Sequence, residues 1–207
     1  EVARQRRVLQ RVMRQVFLAL EGMHQTGIVH RDLKPANLVL MGNRFRVIDF
    51  GAAADLRVGI NYDPESSLLD PAYCPPEQYI MPENTPAPPV APVAAALSPF
   101  LWALNRPDLF DTYSAGIVLL QMGLTPLRAK NTVLPTGAFY RNLQRCDWDL
   151  RKWREEYAGN MWDFSILDSY GGAGWDLACK LVCKRNAIRR GRMSASQAML
   201  HPFLLGA

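Results

Sequence analysis

Apolar side chains recur at helical spacing from the beginning of the chain. They lie three or four positions apart on one face of a predicted helix, whereas most arginines of this stretch lie on another face. The apolar positions are Val8, Leu9, Val12, Met13, Val16, Phe17 and Leu20, and the arginines are Arg4, Arg7, Arg11 and Arg14. This pattern predicts a long amphipathic helix near residues 3–25.

Further helices are expected downstream. A nearly continuous apolar run at 117–122 follows Asp111 and predicts a helix near 110–123 that is buried on most sides. Weaker patterns predict helices near 137–146, 172–185 and 194–200. The chain is therefore expected to be mainly α.

A short hairpin is expected between the first two predicted helices. Residues 43–48 alternate between polar and apolar and predict a strand that ends at Asp49. Residues 38–40 are its expected partner, with Gly42 and Asn43 at the turn. The hairpin would fix the Asp49 carboxylate at its end.

The composition is that of one globular unit. The 207 residues are 49% hydrophobic and contain no run of 18 apolar residues, so a full core is expected and a membrane span is not. The net charge is +5, and the arginines, divided between the first helix and 184–192, favour a solvated face over a site for anionic membranes or acidic proteins. The dispersed aromatic residues do not indicate binding of nucleic acid.

The four cysteines lack the spacing of a zinc site. They are Cys74, Cys146, Cys179 and Cys183. The last two lie one helical turn apart and would form neither a relaxed disulfide nor a complete metal site. We expect buried free thiols.

Two polar segments carry residues suited to phosphoryl transfer. Residues 30–37 read HRDLKPAN and residues 49–51 read DFG. The reaction needs a carboxylate at the acceptor hydroxyl, oxygen ligands for magnesium and positive charge near the phosphoryl oxygens. Asp32 would take or orient the hydroxyl proton, Lys34 would contact the nucleotide phosphates and offset charge, and Asn37 and Asp49 would bind the metal. The expected ligands are ATP and Mg²⁺.

Each motif alone has a plainer interpretation. An ion pair between Arg31 and Asp32 in a capped loop would explain residues 30–32 without any chemistry, and a DFG tripeptide alone is weak support. The eight consecutive matches at 30–37, followed in order by DFG, favour phosphoryl transfer.

With Pro75-Pro76-Glu77 and the segment 111–116, these motifs resemble the C-terminal lobe of a eukaryotic-type protein kinase over essentially the whole chain. Residues 49–62, 75–81 and 92–102 more specifically resemble the chloroplast state-transition kinases of plants and algae, which act at the thylakoid. Lys34 resembles the Ser/Thr rather than the Tyr branch. The implied fold is mainly α, a helical bundle with short β-hairpins at the cleft.

The resemblance assigns supporting roles to several residues. Asp111 would accept hydrogen bonds from the backbone of the catalytic loop, residues 30–37, and Glu77 would pair with Arg192. Arg31 would meet a phosphorylated residue of the activation segment, residues 49–77. Candidates are Tyr62, Ser66 and Ser67, although the acidic stretch 63–65 favours a segment that orders without modification.

Five residues would shape the cleft without doing chemistry. His30 and Phe50 would stack as packing residues, and Gly51 completes the DFG motif. Val39 and Ile48 would lie near the nucleotide base.

The stretch between Glu77 and Asp111 is long and rich in Pro and Ala, and it resembles a family insertion at about 80–108. Its prolines are expected to prevent a continuous helix and to favour extended or turn backbone. They are Pro82, Pro86, Pro88, Pro89, Pro92 and Pro99. Residues 94–104 are apolar enough to pack on the lobe, which we favour, or on a partner.

Two departures from the kinase pattern are visible. No threonine lies between Asp49 and Glu77, and Asp70 occupies the position at which Ser/Thr kinases usually carry one. Asp70 would either repel the charge of Asp32 or bond Lys34 in place of the hydroxyl, and we favour the second. No glycine-rich loop, strand Lys or helix Glu is found, so residues 1–207 are expected to be a C-terminal lobe without its N-terminal lobe, inactive alone.

The first functional hypothesis is a Ser/Thr protein kinase on the stromal side of the chloroplast thylakoid membrane. Its substrates would be light-harvesting chlorophyll-binding proteins or photosystem core proteins, and membrane association would come from segments outside this chain. The alternative is a pseudokinase-like scaffold whose Pro/Ala insertion binds a partner. A small-molecule kinase is disfavoured by the Pro-Pro-Glu77 anchor and the long activation segment.

Overall fold

The structure, a computed structural model, describes residues 1–57, 69–78, 80, 91–185 and 191–205. Within these ranges the chain is mainly helical, as the sequence predicts. The helices are α1 (Val2–Gln25), α2 (Ala91–Asn105), α3 (Leu109–Gly123), α4 (Ala138–Arg145), α5 (Leu150–Trp153), α6 (Ser165–Asp168), α7 (Ala173–Leu181), α8 (Ala195–Met199) and α9 (Pro202–Leu205). The strands are β1 (Ile28–Val29), β2 (Leu38–Met41), β3 (Arg44–Val47) and β4 (Ala54–Asp55).

Helix α1 buries the apolar stripe that the sequence predicts, with one exception. The buried side chains of α1 are those of Leu9, Val12, Met13, Val16, Phe17 and Leu20. The helix packs against α3, α8 and strand β3. Val8 was expected in the stripe, but it is exposed because it lies at the edge of the buried face. The four arginines of the pattern are exposed on the other face.

Helix α3 is the central element of the core. It is buried almost all round, including its polar residues Asp111, Thr112 and Ser114. It approaches α7 closely at Gly116, where a Cβ would lie only 2.6 Å from the Val182 side chain and 2.8 Å from the Leu181 Cβ. A side chain at Gly116 would therefore push the two helices apart.

Two small antiparallel sheets flank the catalytic loop. Strands β2 and β3 form the predicted hairpin, with Leu38 opposite Val47 and Met41 opposite Arg44. Strand β1, just before the loop, pairs with β4, just after the DFG motif. The loop and the DFG segment are therefore fixed next to each other by short pieces of backbone pairing.

The expectation that prolines exclude a helix from the insertion is wrong for residues 91–105. Helix α2 contains Pro92 in its first turn, where a missing N–H costs nothing, and Pro99 in its interior. Alanines favour helix here, and one face is anchored because Ala94 and Ser98 are buried. Packing thus outweighs the hydrogen bond lost at Pro99.

One face of α2 packs on the lobe, as favoured from the sequence, and the other does not. Leu101 and Trp102 pack against a second apolar cluster, which contains Val29, Ala54, Cys74, Ile80 and Phe110. Four apolar side chains of α2 are exposed instead, namely Val93, Leu97, Phe100 and Leu104.

The remaining helices follow the sequence in part. Helices α4, α7 and α8 match three predicted ranges, although α7 ends at Leu181 rather than near 185. The short helices α5, α6 and α9 were not predicted, since four residues are too few for a periodic signal. The candidate phosphorylation sites at 62, 66 and 67, the acidic stretch 63–65, and the prolines at 82–89 lie outside the described residues.

The cysteines are free thiols, as expected. Cys74, Cys146 and Cys179 are buried and Cys183 is partly so. Burial raises the pKa of the Cys74 thiol and that of the Cys179 thiol to about 12. Among the described helices, none combines the length and apolarity needed to cross a membrane.

Candidate active site

The backbone of the catalytic loop is held by a carboxylate from the core. Asp111, in the first turn of α3, is fully buried. Its Oδ2 accepts a hydrogen bond of 2.8 Å from the His30 N–H, and its Oδ1 accepts one of 2.8 Å from the Arg31 N–H. This contact, implied by the family resemblance, fixes the start of the loop on the most buried helix of the molecule.

A third hydrogen bond to Asp111 comes from α1. His24 Nε2 lies 2.8 Å from Asp111 Oδ2. Burial alone would raise the pKa of Asp111, but the hydrogen bond and charge of His24, with His30 nearby, outweigh it and lower that pKa below its ordinary value. Asp111 is therefore ionised and can only accept, so His24 Nε2 donates.

His30 and Arg31 connect the loop to the DFG segment. His30 Nε2 lies 3.1 Å from the Ile48 carbonyl oxygen, and the His30 and Phe50 rings meet with centroids 5.3 Å apart in a tilted arrangement. Arg31, whose φ of 66° is left-handed, is buried and donates from Nε to the Ala52 carbonyl oxygen. The two residues thus serve as structural links across the cleft floor.

Asp32, Lys34 and Asn37 form one polar cluster. Lys34 Nζ lies 2.9 Å from Asp32 Oδ2. Asn37 Nδ2 donates to the Asp32 carbonyl oxygen at 2.8 Å and to Asp32 Oδ2 at 3.0 Å. Asp32 Oδ1 is buried and has no hydrogen-bond partner among the described residues. The arrangement leaves one carboxylate oxygen as an acceptor for a proton from a bound hydroxyl.

The predicted contact between Asp70 and Lys34 is confirmed. Lys34 Nζ lies 3.4 Å from Asp70 Oδ2, so its ammonium group is shared by two carboxylates. Partial burial alone would lower the pKa of Lys34, but its hydrogen bonds and ion pairs with Asp32 and Asp70 raise that pKa above its ordinary value. Lys34 is therefore a fixed positive charge in the cluster.

Asp49 lies at the end of the hairpin, as predicted. Its φ of 64° is left-handed, and its Oδ1 accepts a hydrogen bond of 3.2 Å from the Gly51 N–H. A Cβ at Gly51 would lie 3.2 Å from the same oxygen, which is tighter than most such contacts. Asp49 is exposed, and it makes no hydrogen bond or ion pair with Asp32 or Asn37 within the described residues.

The oxygen atoms of Asn37 and Asp49 suit a magnesium ion. Asn37 is buried and its Nδ2 is already bonded to Asp32, which leaves its Oδ1 as the group available to a cation. Mg²⁺ prefers oxygen ligands and usually takes only one or two carboxylates, completed by water and substrate phosphates. The described residues hold no cluster of three or more His, Cys, Asp or Glu side chains that could bind a metal alone.

The two apolar residues expected near the nucleotide base lie on the hairpin and at its end. Val39 is in β2 and pairs with Arg46, and Ile48 follows β3 and donates its N–H to the Asn37 carbonyl oxygen at 3.0 Å. Both side chains are a little over one-third exposed, at 36% and 37%. They offer apolar surface next to the Asn37 side of the loop.

Glu77 and Arg192 form the expected ion pair. Arg192 Nη1 lies 2.7 Å from Glu77 Oε1, and Nη2 lies 3.3 Å from Oε2, so the pair is bidentate. Arg192 is only 4% exposed and also donates to the carbonyl oxygens of Leu109 and Cys183. The pair ties the end of the activation segment to α3 and to the C-terminal segment.

Neither the His24 contact with Asp111 nor the Tyr73–Gln121 contact was predicted from the sequence. Tyr73 Oη donates to Gln121 Oε1 at 2.9 Å, and burial raises the pKa of that Tyr73 hydroxyl. Both contacts join residues far apart in sequence, by 87 positions for His24 and Asp111 and by 48 for Tyr73 and Gln121. Only the fold brings them together.

Comparison with known proteins shows which families have a similar sequence. The protein kinase domain model matches residues 1–88. The chloroplastic serine/threonine-protein kinases STN8 and STN7 of Arabidopsis thaliana are 53% and 48% identical over 207 aligned residues, which cover 99% and 97% of this chain. The chain spans only 41% and 36% of the length of those relatives.

Solved structures also match nearly the whole of this chain. A crystal structure of a Stt7 homologue from Micromonas algae, soaked with ATP, matches 97% of this chain and 57% of its own, with a TM-score of 0.83 and 33% identity. The twitchin kinase region of C. elegans matches 96% of this chain and 28% of its own, with a TM-score of 0.56 and 26% identity. The chain therefore has the fold of a protein kinase C-terminal lobe and is similar, over nearly its whole length, to chloroplast serine/threonine-protein kinases.

Proposed function

We propose that this chain is the catalytic-loop half of an ATP- and Mg²⁺-dependent protein kinase that phosphorylates Ser or Thr. The observation that carries the proposal is the cluster of Asp32, Lys34 and Asn37, in which one Asp32 oxygen is buried and has no partner among the described residues. Intact oxygen ligands at Asn37 and Asp49 support it. Residues 1–207 would be one lobe of a larger domain, with the catalytic loop at 30–37 and the activation segment at 49–77.

Each polar residue has a distinct part in this mechanism. As the acceptor oxygen forms its bond to the γ-phosphorus and the bond to the bridging oxygen of ADP breaks, Asp32 accepts the proton of the acceptor hydroxyl. Lys34 offsets charge on the transferring phosphoryl oxygens. Magnesium, when bound, would neutralise phosphate charge, and Asn37 and Asp49 would hold it.

We further propose chloroplast thylakoid proteins as the substrates, either light-harvesting chlorophyll-binding proteins or photosystem core proteins. Support comes from the chloroplast kinases to which the chain is similar over nearly its whole length. The kinase domain would face the stroma. Val39 and Ile48 would contact the nucleotide base, and Arg31 would stabilise the activation segment.

The test is transfer of labelled phosphate from Mg-ATP to isolated thylakoid membranes by the full-length protein. We expect antenna or core proteins to be labelled on Ser or Thr, and Asp32→Asn to abolish the labelling. Label on Tyr would overturn the Ser/Thr assignment, and equal labelling by the variant would remove Asp32 from the mechanism.

The exposed face of α2 favours a second function as a binding platform. Its apolar side chains lie on a helix that the lobe already anchors through Ala94, Leu101 and Trp102. A full-length protein that transfers no phosphate but still binds thylakoid proteins, and loses that binding with Phe100→Ser, would support this function over the first.

A further inference from the structure

We propose that Asp70 is a positioning residue of the transfer reaction, which acts by holding the Lys34 ammonium group beside Asp32. The inference rests on the proposed kinase function and deepens it. Asp70 does not touch the reacting atoms in this account, because its contact to the site runs through Lys34.

The first observation is the geometry of Lys34. Its Nζ lies between two carboxylates, at 2.9 Å from Asp32 and 3.4 Å from Asp70. A lysine side chain carries a compact charge on a flexible four-carbon stem, so its ammonium group can move when it has a single partner. A second carboxylate within contact distance restricts the position of the group.

The second observation is that Asp70 is itself rigidly held. Its Oδ1 accepts a hydrogen bond of 3.1 Å from the Ala72 N–H, and its carbonyl oxygen accepts two more from the Tyr73 and Cys74 N–H groups. Among the described residues, the Asp70 oxygen that contacts Lys34 is Oδ2. The carboxylate therefore presents a fixed acceptor rather than a mobile one.

Both ends of the Lys34 bridge are anchored on α3. The catalytic loop is held through Asp111, as described above. The turn that carries Asp70 is held because Ser114 Oγ donates to the Tyr73 carbonyl oxygen at 2.8 Å and Gln121 accepts from the Tyr73 hydroxyl at 2.9 Å. One buried helix thus sets the separation of the two segments that the lysine bridges.

A carboxylate suits this position better than a neutral hydroxyl. A carboxylate adds the attraction of an ion pair to the hydrogen bond from the ammonium group, which a neutral hydroxyl does not supply. Lys34 contacts Asp32 through Oδ2, and Asp32 Oδ1 has no partner in the part of the chain that the structure describes. Losing Asp70 is therefore expected to affect the chemical step rather than substrate binding.

The test uses steady-state kinetics of the full-length protein with Asp70→Asn, Asp70→Glu and Asp147→Asn. Asn retains an acceptor for the Ala72 N–H but loses the charge, and we expect kcat to fall about tenfold with both KM values within about twofold. Glu retains the charge and should recover part of kcat. Asp147 pairs with Lys184 on an exposed surface, so its variant is the control and should behave as wild type.

A double-mutant cycle tests whether Asp70 acts through Lys34. In a Lys34→Met background, Asp70→Asn should cause no further loss of kcat. If that background is too slow to measure, a crystal structure of Asp70→Asn gives the answer, and we expect Lys34 Nζ to have left Asp32.

Three results would overturn the proposal. They are an unchanged kcat in Asp70→Asn, an equal loss in the Lys34→Met background, or a Lys34 that stays within ~3 Å of Asp32 in the variant structure. A wild-type protein that transfers no phosphate would instead refute the kinase function itself, so the two failures are distinguishable.

Discussion

At the scale of single residues, the site depends on buried or partly buried carboxylates that each bind several donors. Asp111 accepts from two backbone N–H groups and from His24, and Asp32 is bound by Lys34 and Asn37. The Asp32 cluster was predictable because its members lie within six consecutive residues. The contribution of His24 was not, since nothing local in the sequence marks a partner on another helix.

We expect Asp111→Asn to destabilise the protein at neutral pH by roughly 3 kcal/mol, because an amide replaces a charged acceptor that binds three donors. The lowered pKa of Asp111 means that its contribution is present above the pKa of an unfolded carboxyl group, about 4, and is lost as pH falls below it. Wild type should therefore lose stability on acidification more steeply than the variant, as measured by urea unfolding at several pH values.

The control for this prediction is Asp147→Asn, which changes an exposed carboxylate. It should alter the free energy of unfolding by less than about 0.5 kcal/mol. Parallel stability curves for wild type and Asp111→Asn would show that the buried carboxylate is not the source of the acid sensitivity.

At the scale of elements, packing decides where local propensity is weak. The hairpin and α1 were predictable because their periodicities are unambiguous. Helix α2 was not, since Pro99 argues locally against a helix and the apolar surface that fixes α2 belongs to distant residues such as Phe110. Local sequence therefore did not predict α2, whose formation depends on packing against distant residues.

Replacing Pro99 with Ala should stabilise α2. The ring is exposed, so no packing is lost, and the restored N–H can bond within the helix. We expect the free energy of unfolding to rise by about 1 kcal/mol, measured by denaturant titration, with slower hydrogen exchange at 95–103.

Pro92→Ala is the matched control, because a first-turn proline costs the helix no hydrogen bond. It should leave stability nearly unchanged. Equal effects of the two substitutions would mean that the interior proline does not limit the stability of α2.

At the scale of the whole molecule, long-range polar contacts join segments that are remote in sequence. The Glu77–Arg192 pair spans 115 positions and connects the end of the activation segment with the C-terminal helices. The family resemblance predicted this pair, whereas composition and periodicity alone could not have done so.

Substituting either residue of this pair should lower the free energy of unfolding strongly. Substituting both should lower it by less than the sum of the two single effects. We expect Glu77→Gln and Arg192→Met each to destabilise by about 3 kcal/mol, since each leaves a largely buried charge without its main partner. Within the described residues, Glu77 would keep a 4.0 Å contact with Arg185. The double variant should fall well short of additivity in denaturant unfolding. Glu156→Gln, which removes an exposed pair with Lys152, is the control, and additive losses would contradict a direct coupling.

The most direct test of the central claim is the rate of phosphoryl transfer by full-length Asp32→Asn, measured with KM for ATP and the melting temperature. If Asp32 accepts the hydroxyl proton, kcat should fall by roughly a thousandfold or more, while KM and the melting temperature stay near wild type. A kcat within about tenfold of wild type would show that Asp32 belongs to the structure of the loop and not to its chemistry.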